Sequence, residues 1–331
     1  MSETASAPII AAIIVNYRSA ELVLRHFPML KRELAPYPGA RVYIVDNASP
    51  GDDAAQLSDL ARREAIIEFI ASPENGGFAK GNNLAIRRAL ASAVRPDFIF
   101  LLNPDAYPRP GAVSALVDFL AKRPKAGFAG ARLEAEDGTP HVSAFRFFSV
   151  IGEFESGART GIISRLLSKW RVAPPQRNES AEADWLCGAG LMIRTEVFER
   201  VGLFDDAYFL YYEETDLMRA ARQAGFEVWY APTARVVHYE GGSSGLSQGS
   251  DAQKETPIYW YQSRAHYYRK NHGAFYAGLA DAAWLAGAAL YWMRLAATGK
   301  DRREMARAVK RFVKLHFGGG LSKSEAEDRP Q

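Results

Sequence analysis

The sequence has little cysteine and little net charge, and each shortage excludes a class of protein. Cys187 is the only cysteine among 331 residues, so an intrachain disulfide is excluded and a reducing compartment is favoured. The net charge of +3, from 41 basic and 38 acidic side chains, lacks the basic surplus of a general nucleic-acid binder. A chain that is 48% hydrophobic and 24% charged is long enough for one large core and an appendage.

Long apolar runs are also missing. Residues 9–15 are apolar, but no positive charge precedes them and Asn16 and Arg18 follow, so they predict a buried strand rather than a signal peptide. A later apolar run, residues 282–293, is bounded by Asp281 and Arg294 and is too short to cross a bilayer comfortably. We therefore expect no membrane-spanning helix.

Short apolar segments alternate with helical patterns over the first 130 residues. The predicted strands span residues 9–15, 41–45, 66–70 and 98–102, and the predicted helices span residues 20–34, 56–63, 81–93 and 111–122. The strand segments are nearly continuous in hydrophobicity, as parallel strands covered on both faces are. The alternation predicts an α/β fold, a doubly wound and mostly parallel sheet flanked by helices.

The pattern loosens after residue 130. Residues 145–183 suggest an irregular insertion; strands are then predicted at 185–193, 227–230 and 234–238, and helices at 195–201 and 212–224. A loop at 240–250 follows, and from residue 254 the chain is aromatic, basic and helical until a polar tail. We expect one main domain over residues 1–250, with halves at 1–130 and 131–250, and a helical C-terminal extension over 251–331.

Polar side chains follow consecutive predicted strands where each strand ends. Asn16 follows the first, Asp46 and Asn47 the second, and Asn103 and Asp105 the fourth. The third is followed by a segment rich in glycine and asparagine, comprising Gly76, Gly77, Gly81, Asn82 and Asn83. Each residue taken alone has an alternative role in capping a helix or forming a turn. Ligands bind beyond the carboxyl ends of such strands, so the set predicts a ligand site there.

The chemistry of these residues points to a nucleotide diphosphate. A carboxylate such as Asp46 can accept the imide N–H of uracil or thymine, and glycines let the backbone approach a ribose and a diphosphate. Asp105, with Asn103 nearby, can hold a hard divalent cation through oxygen. The segment is no Walker loop, since no Gly-Lys-Ser/Thr follows, and no dinucleotide fingerprint, since the first strand–helix turn lacks glycine.

Three acidic residues and a histidine are the remaining candidates for chemistry. Glu213, Glu214 and Asp216 begin a predicted helix after five apolar or aromatic residues, which can raise the pKa of a carboxylate toward useful basicity. The alternative is that these acids only stabilise the positive end of the helix dipole. His238 ends an apolar strand before a Gly-Gly-Ser-Ser loop and is either structural or a metal ligand.

Six segments together resemble glycosyltransferase family 2, especially its rhamnosyltransferase-like branch. The segments are IIVNYRSAELV, VYIVDNAS, NGGFAKGNN, FIFLLNPDA, CGAGLMIRTEVFERVGLFDDAYFLYYEETDL and VVHYEGGSS, and they cover about residues 9–245 in the correct order. The resemblance implies the GT-A fold. The sequence departs from the family pattern at the metal-binding Asp-x-Asp motif, where Asn103 replaces the first aspartate, and at the base, where Glu214 replaces the usual aspartate.

The resemblance also implies roles for the candidates. The residues it places at the nucleotide sugar are Asn16, Asp46, Asn47, Gly77, Asn82, Asn83 and Asn103. Asp105 and His238 match ligands of a divalent cation, Mg²⁺ or Mn²⁺, and the loop after His238 matches one that folds over the diphosphate. Glu214 matches the catalytic base. Asp216 is a second catalytic candidate, Glu213 and Gly188 are expected at the acceptor, and Glu213 or Asp216 remains an alternative base.

The implied activity is that of an inverting, metal-dependent hexosyltransferase of cell-surface polysaccharide synthesis. L-rhamnose from dTDP-L-rhamnose is the best match, with UDP-linked hexoses open, and the acceptor would be a hydroxyl of a glycan or of a polyprenyl-diphosphate-linked precursor. No nucleic-acid partner is expected. One alternative is a sugar-phosphate nucleotidyltransferase, whose Gly-rich, Arg/Lys-bearing loop after the first strand is absent here. The other is a catalytically silent subunit that binds nucleotide sugars or glycans.

The C-terminal region has the pattern of a helix that binds a membrane surface. Over residues 302–315 the basic face consists of Arg303, Arg307, Lys310 and Lys314, and the apolar face of Met305, Val309, Phe312 and Val313. Such a helix suits anionic lipid, and a lipid-linked acceptor would require membrane contact. We expect a cytoplasmic protein, peripheral on the inner face of the cell membrane. The alternative is a helix that packs on the protein and leaves its basic face in water.

Overall fold

The structure, a computed structural model, describes residues 7–239 and 256–317, with the side chain of Phe317 excepted. The chain forms two compact units. Unit 1 consists of Met1–Ala144, Pro175–Phe209 and Glu213–Lys254, and unit 2 of Phe145–Pro174, Leu210–Tyr212 and Glu255–Gln331. This division differs from the expected one because residues 145–174 group with the C-terminal helices. The expected loop at 240–250 and the polar tail lie outside the described residues.

The helices and strands alternate as predicted over the first 130 residues, with shifts of a few residues at their ends. In chain order they are β1 (Ile10–Asn16), α1 (Ala20–Leu34), β2 (Arg41–Asp46), α2 (Asp53–Arg63), β3 (Ile67–Ala71), α3 (Gly77–Leu90), β4 (Phe98–Leu102), β5 (Ala106–Pro108), α4 (Ala112–Ala121), β6 (Ala126–Glu134), β7 (Ala144–Phe145), α5 (Val150–Ala158), α6 (Gly161–Leu166), a 3-10 turn (Ser168–Trp170), β8 (Ala181–Glu182), β9 (Trp185–Leu186), β10 (Gly190–Arg194), α7 (Thr195–Val201), α8 (Glu213–Gln223), β11 (Glu227–His238), α9 (Ile258–Ala297) and α10 (Arg303–Phe317).

A mixed, mostly parallel sheet forms the centre of unit 1, with nine strands in the described part of the chain. Its order is β3-β2-β1-β4-β10-β6-β11-β5, and β8 pairs beside β11. β1 to β4 are mutually parallel, β11 is parallel to β6, and β10 runs antiparallel between β4 and β6. The carboxyl ends of the parallel strands therefore share one edge of the sheet, called here the site edge. β10 and β5 begin at that edge because they run the other way.

Helices on both faces bury this sheet, which explains the nearly continuous apolar strands. β4 is buried along its whole length, and β1 and β2 nearly so. The apolar face of α1 packs in the same core through residues at helical spacing, namely Val23, Phe27, Leu30 and Leu34. Each fully buried large side chain contributes about 1.5–3 kcal/mol. The core therefore fixes the strand ends, and with them the side chains that follow each strand.

Two later segments of unit 1 differ from the sequence prediction. Residues 185–193, expected as one strand, form β9 and β10 with a turn between them. Gly188 lies in that turn, and its N–H donates to the Glu214 carboxylate instead of to a neighbouring strand. Residues 227–238, expected as two strands, form β11 alone. A bulge between Ala231 and Arg235 accommodates the irregular sequence there.

Unit 2 is helical, and residues 145–183, expected to be irregular, supply α5 and α6. α5 packs very closely on α9 because glycines lie at the contact. A methyl group on Gly157 would lie 2.5 Å from a backbone oxygen of α9, and one on Gly287 would lie 2.3 Å from a backbone oxygen of α5. α9 is kinked at Gly273, and contrary to expectation it is long and apolar enough to cross a membrane, by length and composition only.

A buried charged network joins the helices of unit 2. Arg264 of α9 is completely buried and pairs with Glu153 of α5 at 3.1 Å and with Asp281, beyond the kink, at 2.5 Å. The hydroxyl of Tyr268 also donates to Glu153, at 2.8 Å. Breaking such a buried set by removing one partner costs about 3–5 kcal/mol, because a charge is left uncompensated. The network therefore locks α5 against both parts of α9.

The amphipathic helix α10 packs part of its apolar face inside unit 2. Met305 and Phe312 are buried, and the Phe312 ring stacks on Trp284 with 4.4 Å between ring centroids. Arg307 and Lys310 lie exposed on the other side. Met305 and Phe312 of the apolar face expected to meet lipid are thus covered by protein, whereas Val313 of the same face is 41% exposed.

Candidate active site

Five predicted site residues lie at the site edge for a topological reason. Asn16 and Asp46 are the last residues of the neighbouring parallel strands β1 and β2 and are in register with each other. Asn103 and Asp105 follow β4, which pairs with β1 on its other side, and His238 ends β11. Residues separated by up to 222 positions in the chain therefore meet because their strands end at the same edge.

Asp46 is a buried carboxylate with a fixed orientation. One of its oxygens accepts a hydrogen bond from the Asn16 side chain at 2.9 Å, and the other accepts the backbone N–H of Ser49 at 3.0 Å. The Asn16 amide also contacts Asp53 at 3.0 Å and accepts the N–H of Ser19. Asn16 is completely buried, so it orients Asp46 rather than presenting its own polar atoms to a ligand.

Asn47 holds the glycine turn that follows β3. Its side chain donates to the Gly77 carbonyl at 3.0 Å and accepts the N–H of Gly76 at 3.3 Å. Gly77 has φ +76°, and a Cβ there would lie 1.8 Å from the Phe209 carbonyl oxygen, which accepts the N–H of Phe78 at 2.8 Å. Only glycine fits such a position, so the turn is bound directly to the chain that leads toward the acidic helix α8.

Asn82 and Asn83 have structural partners. The Asn83 amide donates to the Phe204 carbonyl at 2.8 Å and to Asp206 at 2.6 Å, and its oxygen accepts the Phe204 N–H at 3.1 Å. Asn82 donates to the Phe78 carbonyl, one turn earlier in α3. Both side chains are buried. Asn83 therefore fixes residues 204–206 against α3.

Asp105 and His238 come together through the pairing of β5 with β11. His238 is in register with Ala106, and the N–H of Tyr239 donates to the Asp105 carbonyl at 3.0 Å. The His238 Nε2 lies 3.4 Å from an Asp105 carboxylate oxygen and 3.4 Å from the Asn103 side-chain nitrogen. An oxygen and a nitrogen this close can both reach one divalent cation.

A stacked aromatic group beside this pair was not predicted from sequence. His26 of α1 is buried and stacks on Tyr239 with 5.5 Å between ring centroids, and it packs against Tyr107 in a tilted arrangement at 4.9 Å. Tyr239 follows His238, and Tyr107 lies two residues after Asp105. Burial lowers the pKa of His26, so the ring packs as a neutral aromatic. No local pattern links α1 to β11, so only the fold reveals this contact.

Glu214 faces the Gly188 turn at the start of β10. The Gly188 N–H donates to Glu214 Oε1 at 3.1 Å. A Cβ on Gly188 would lie 2.9 Å from that oxygen and 2.8 Å from the Phe78 ring, so glycine permits the close approach. Desolvation raises the pKa of Glu214 above its usual range, and the hydrogen bond from Gly188 opposes part of that rise. A carboxylate with a raised pKa and a fixed position has the properties of a general base.

The two other acids of α8 are more enclosed. Asp216 is buried and accepts a hydrogen bond from the hydroxyl of Tyr208 at 3.2 Å, and Tyr208 is itself completely buried. Glu213 is also buried, at the first position of α8. Glu214 is the one of the three that is partly exposed and contacts the Gly188 turn. The geometry therefore favours Glu214 over its neighbours as the reacting carboxylate.

Contacts join the Gly77 turn, Glu214 and the Asp105–His238 pair along the site edge. Phe78, next to Gly77, lies against Gly188, and Gly188 holds Glu214. The carbonyl of Ala189 is 3.4 Å from the Asn103 N–H, two residues before Asp105. The candidate base, the glycine turn and the Asp–His pair are thus neighbours within unit 1.

Comparison with known proteins supports the resemblance noted in the sequence. Residues 7–255 match the family described as glycosyltransferase like family 2. An N-acetylglucosaminyl-diphospho-decaprenol L-rhamnosyltransferase of Mycobacterium tuberculosis is 28% identical over 253 residues, which cover 73% of this chain and 80% of that protein. The rhamnosyltransferase WbbL of Escherichia coli is 24% identical over 230 residues, 69% of this chain and 82% of that protein.

A solved structure confirms the predicted GT-A fold. GalNAc-T7 with UDP, GalNAc and Mn²⁺ matches with a TM-score of 0.59 at 13% identity, over 95% of this chain and 58% of that one. This chain therefore spans less than two thirds of the length of GalNAc-T7. At this level of identity the likeness concerns the fold alone.

Proposed function

The chain belongs to glycosyltransferase like family 2, and from this we propose that it is an inverting, divalent-cation-dependent hexosyltransferase. We propose L-rhamnose from dTDP-L-rhamnose as the transferred sugar and a hydroxyl of a polyprenyl-diphosphate-linked glycan as the acceptor. Both rhamnosyltransferase relatives support the sugar, and the name of the mycobacterial one supports the acceptor. The observation that carries the proposal is the meeting of Asp46, the Asp105–His238 pair and Glu214 at one edge of the sheet.

Asp46 is proposed to select a pyrimidine nucleotide. Asn16 and Ser49 hold its carboxylate so that it can accept the imide N–H of thymine or uracil. The Gly77 turn, fixed by Asn47, would bring backbone close to the ribose and diphosphate. Asn103 would contact the donor beside the Asp105–His238 pair.

Asp105 and His238 are proposed to hold Mg²⁺ or Mn²⁺. Their oxygen and nitrogen suit such an ion, and no third His, Cys, Asp or Glu joins them among residues 7–239 and 256–317. Two such ligands would leave coordination positions for diphosphate oxygens. When bound, the cation would offset negative charge on the leaving diphosphate.

Glu214 is proposed as the general base, and Gly188 and Glu213 are proposed to lie near the acceptor. Asp216 is proposed to stabilise α8 through its hydrogen bond with Tyr208. The Glu214 carboxylate takes the proton of the acceptor hydroxyl. The acceptor oxygen then forms a bond to the anomeric carbon from the face opposite the nucleotide. The bond from that carbon to the diphosphate breaks, and the nucleoside diphosphate leaves with the electron pair. One displacement inverts the anomeric centre.

A panel of nucleotide sugars tests this proposal. The purified full-length chain is incubated with dTDP-L-rhamnose, UDP-glucose, UDP-N-acetylglucosamine or GDP-mannose, a polyprenyl-diphosphate-linked N-acetylglucosamine, and either Mn²⁺ or EDTA. We expect nucleoside diphosphate release and transfer with dTDP-L-rhamnose and Mn²⁺, and none with EDTA. A product that retains the anomeric configuration, or full activity in EDTA, would contradict the proposed mechanism.

Two glutamate variants separate a catalyst from a silent binding subunit. Glu214→Gln removes the proposed base and keeps its shape, whereas Glu196→Gln makes the same change on the exposed surface of α7. We expect Glu214→Gln to lose about 10²–10⁴-fold in kcat. Glu196→Gln is expected to match wild type. Equal activity of the two variants would remove Glu214 from the mechanism.

A further inference from the structure

Nearly all the exposed large hydrophobic side chains in the described part of the chain belong to unit 2. In unit 1 the one such residue within residues 7–239 is Val94. Those of unit 2 are Ile151, Ile162, Leu166, Trp170, Phe275, Leu279, Trp292, Met293 and Val313. Single exposed hydrophobic residues need no explanation, but their concentration in one helical unit indicates a binding surface.

The second part of α9 presents a continuous apolar stripe. Its exposed positions recur every three or four residues, at 275, 279, 282, 286, 289 and 293, and all are Phe, Leu, Ala or Met. Phe275 is 82% exposed and Leu279 is 43% exposed. At 1.5 Å per residue the stripe is about 27 Å long. The opposite face of the same helix packs on α5 and carries buried Asp281.

Basic residues surround this apolar stripe. The described residues of unit 2 contain sixteen Lys or Arg and five Asp or Glu. Lys270 precedes the stripe and Arg294 follows it, while Arg307 and Lys310 are exposed on α10. An apolar face bordered by positive charge is complementary to an anionic lipid surface, which offers acyl chains beneath negative headgroups.

We propose that the apolar stripe of α9 lies in the interfacial layer of an anionic lipid bilayer, with α10 contributing positive charge. A spanning arrangement of α9 would carry α5 and the Arg264–Asp281 pair into the hydrocarbon, at a large desolvation cost. A second copy of the chain on the stripe would bring two strongly positive surfaces together. The interfacial position deepens the proposed function by locating the membrane contact of an enzyme with a lipid-linked acceptor.

Sedimentation with vesicles, without any sugar nucleotide, tests the proposal. The full-length chain is mixed with vesicles of phosphatidylcholine or of phosphatidylcholine with phosphatidylglycerol. We expect binding to the anionic vesicles, lowered by roughly ten- to a hundredfold in the double variant Phe275→Ser, Leu279→Ser, because less apolar surface enters the lipid. The matched control Val94→Ser changes an exposed hydrophobic residue of unit 1, 58% exposed, and should bind as wild type does.

The contribution of charge is tested separately. Arg307→Glu, Lys310→Glu should weaken binding to anionic vesicles by about fivefold or more per residue and leave weak binding to neutral vesicles unchanged. Undiminished binding of the Phe275, Leu279 variant would overturn the proposal. So would a dimer that the same variant converts to a monomer, or protein that resists alkaline carbonate extraction, which would indicate a spanning helix.

Transfer assays with two kinds of acceptor separate the proposed membrane contact from the proposed activity. Transfer to a short-chain, water-soluble acceptor should be the same for wild type and for the Phe275, Leu279 variant. Transfer to a long-chain acceptor in vesicles should fall with vesicle binding. If no sugar is transferred by any form, the proposed function fails while the vesicle-binding result stands on its own.

Discussion

Replacing Gly188 with alanine is the sharpest test of the candidate base, because the change adds one methyl group at a known place. That methyl would lie 2.9 Å from Glu214 Oε1 and 2.8 Å from the ring of Phe78. Gly188 does not adopt the left-handed backbone that disfavours alanine. The strain therefore falls on Glu214 and Phe78 rather than on the local backbone.

The expected size of the effect follows from these distances. Ordinary contacts begin near 3.4 Å, so the carboxylate must move by several tenths of an ångström. Displacements approaching 1 Å at a reacting group cost about 10²-fold in rate, and we expect kcat to fall by roughly 10- to 100-fold. Loss of the Gly188 N–H bond also removes an interaction that lowers the pKa of Glu214. The pKa therefore rises further, and the acidic limb of the pH–rate profile moves to higher pH.

Steady-state kinetics across pH, with saturating donor and cation, measure both effects. Gly161→Ala is the matched control, because no atom lies within 4 Å of the position that its Cβ would take. Thermal unfolding of both variants shows whether the fold is intact. A Gly188→Ala enzyme with wild-type kcat and an unmoved acidic limb would refute the assignment of Glu214 as the base held by this turn.

Three further changes have outcomes set by the structure. Glu214→Gln should raise the free energy of unfolding at pH values above the ordinary glutamate pKa, because desolvation disfavours the carboxylate in the folded state. This gain should vanish as the pH falls below the ordinary pKa. Urea unfolding at two pH values measures the gain, and a gain that grows toward low pH would contradict the prediction. Gly77→Ala should destabilise unit 1 by at least about 1–2 kcal/mol, because alanine is strained at φ +76° and its methyl meets the Phe209 carbonyl; an unchanged denaturation midpoint would contradict this. Arg264→Met should lower the free energy of unfolding by about 3–5 kcal/mol, because two buried carboxylates lose their arginine partner; an unchanged midpoint of chemical denaturation would contradict this.

Local sequence patterns were sufficient for much of unit 1. The strands of the first 130 residues are continuous apolar runs because both faces of the sheet are buried, and Asp46 and Asp105 follow directly from where those strands end. The topology then fixes their proximity, since parallel strands place their carboxyl ends together. His238 joins them in the same way, through β11.

The same patterns did not reveal contacts that depend on a distant partner. Asn83 has the sequence context of a ligand-binding asparagine, yet its amide is engaged by residues 204–206. The apolar face of α10 reads as a lipid-binding surface, yet Phe312 packs on Trp284. The strand expected over 185–193 is broken by the turn at Gly188. The N–H of Gly188 donates to Glu214, which lies on α8.

The amino-acid order by itself determined the α/β alternation, the family motifs and the choice of candidate side chains, because these depend on residues within a few positions of each other. The tertiary structure alone decided which of three acids contacts the Gly188 turn, that His26 stacks beside the Asp105–His238 pair, and which face of the C-terminal helices remains exposed. Burial and hydrogen-bond partners belong to pairs of segments, and no single segment specifies its partner. That physical difference separates what could be predicted from what had to be observed.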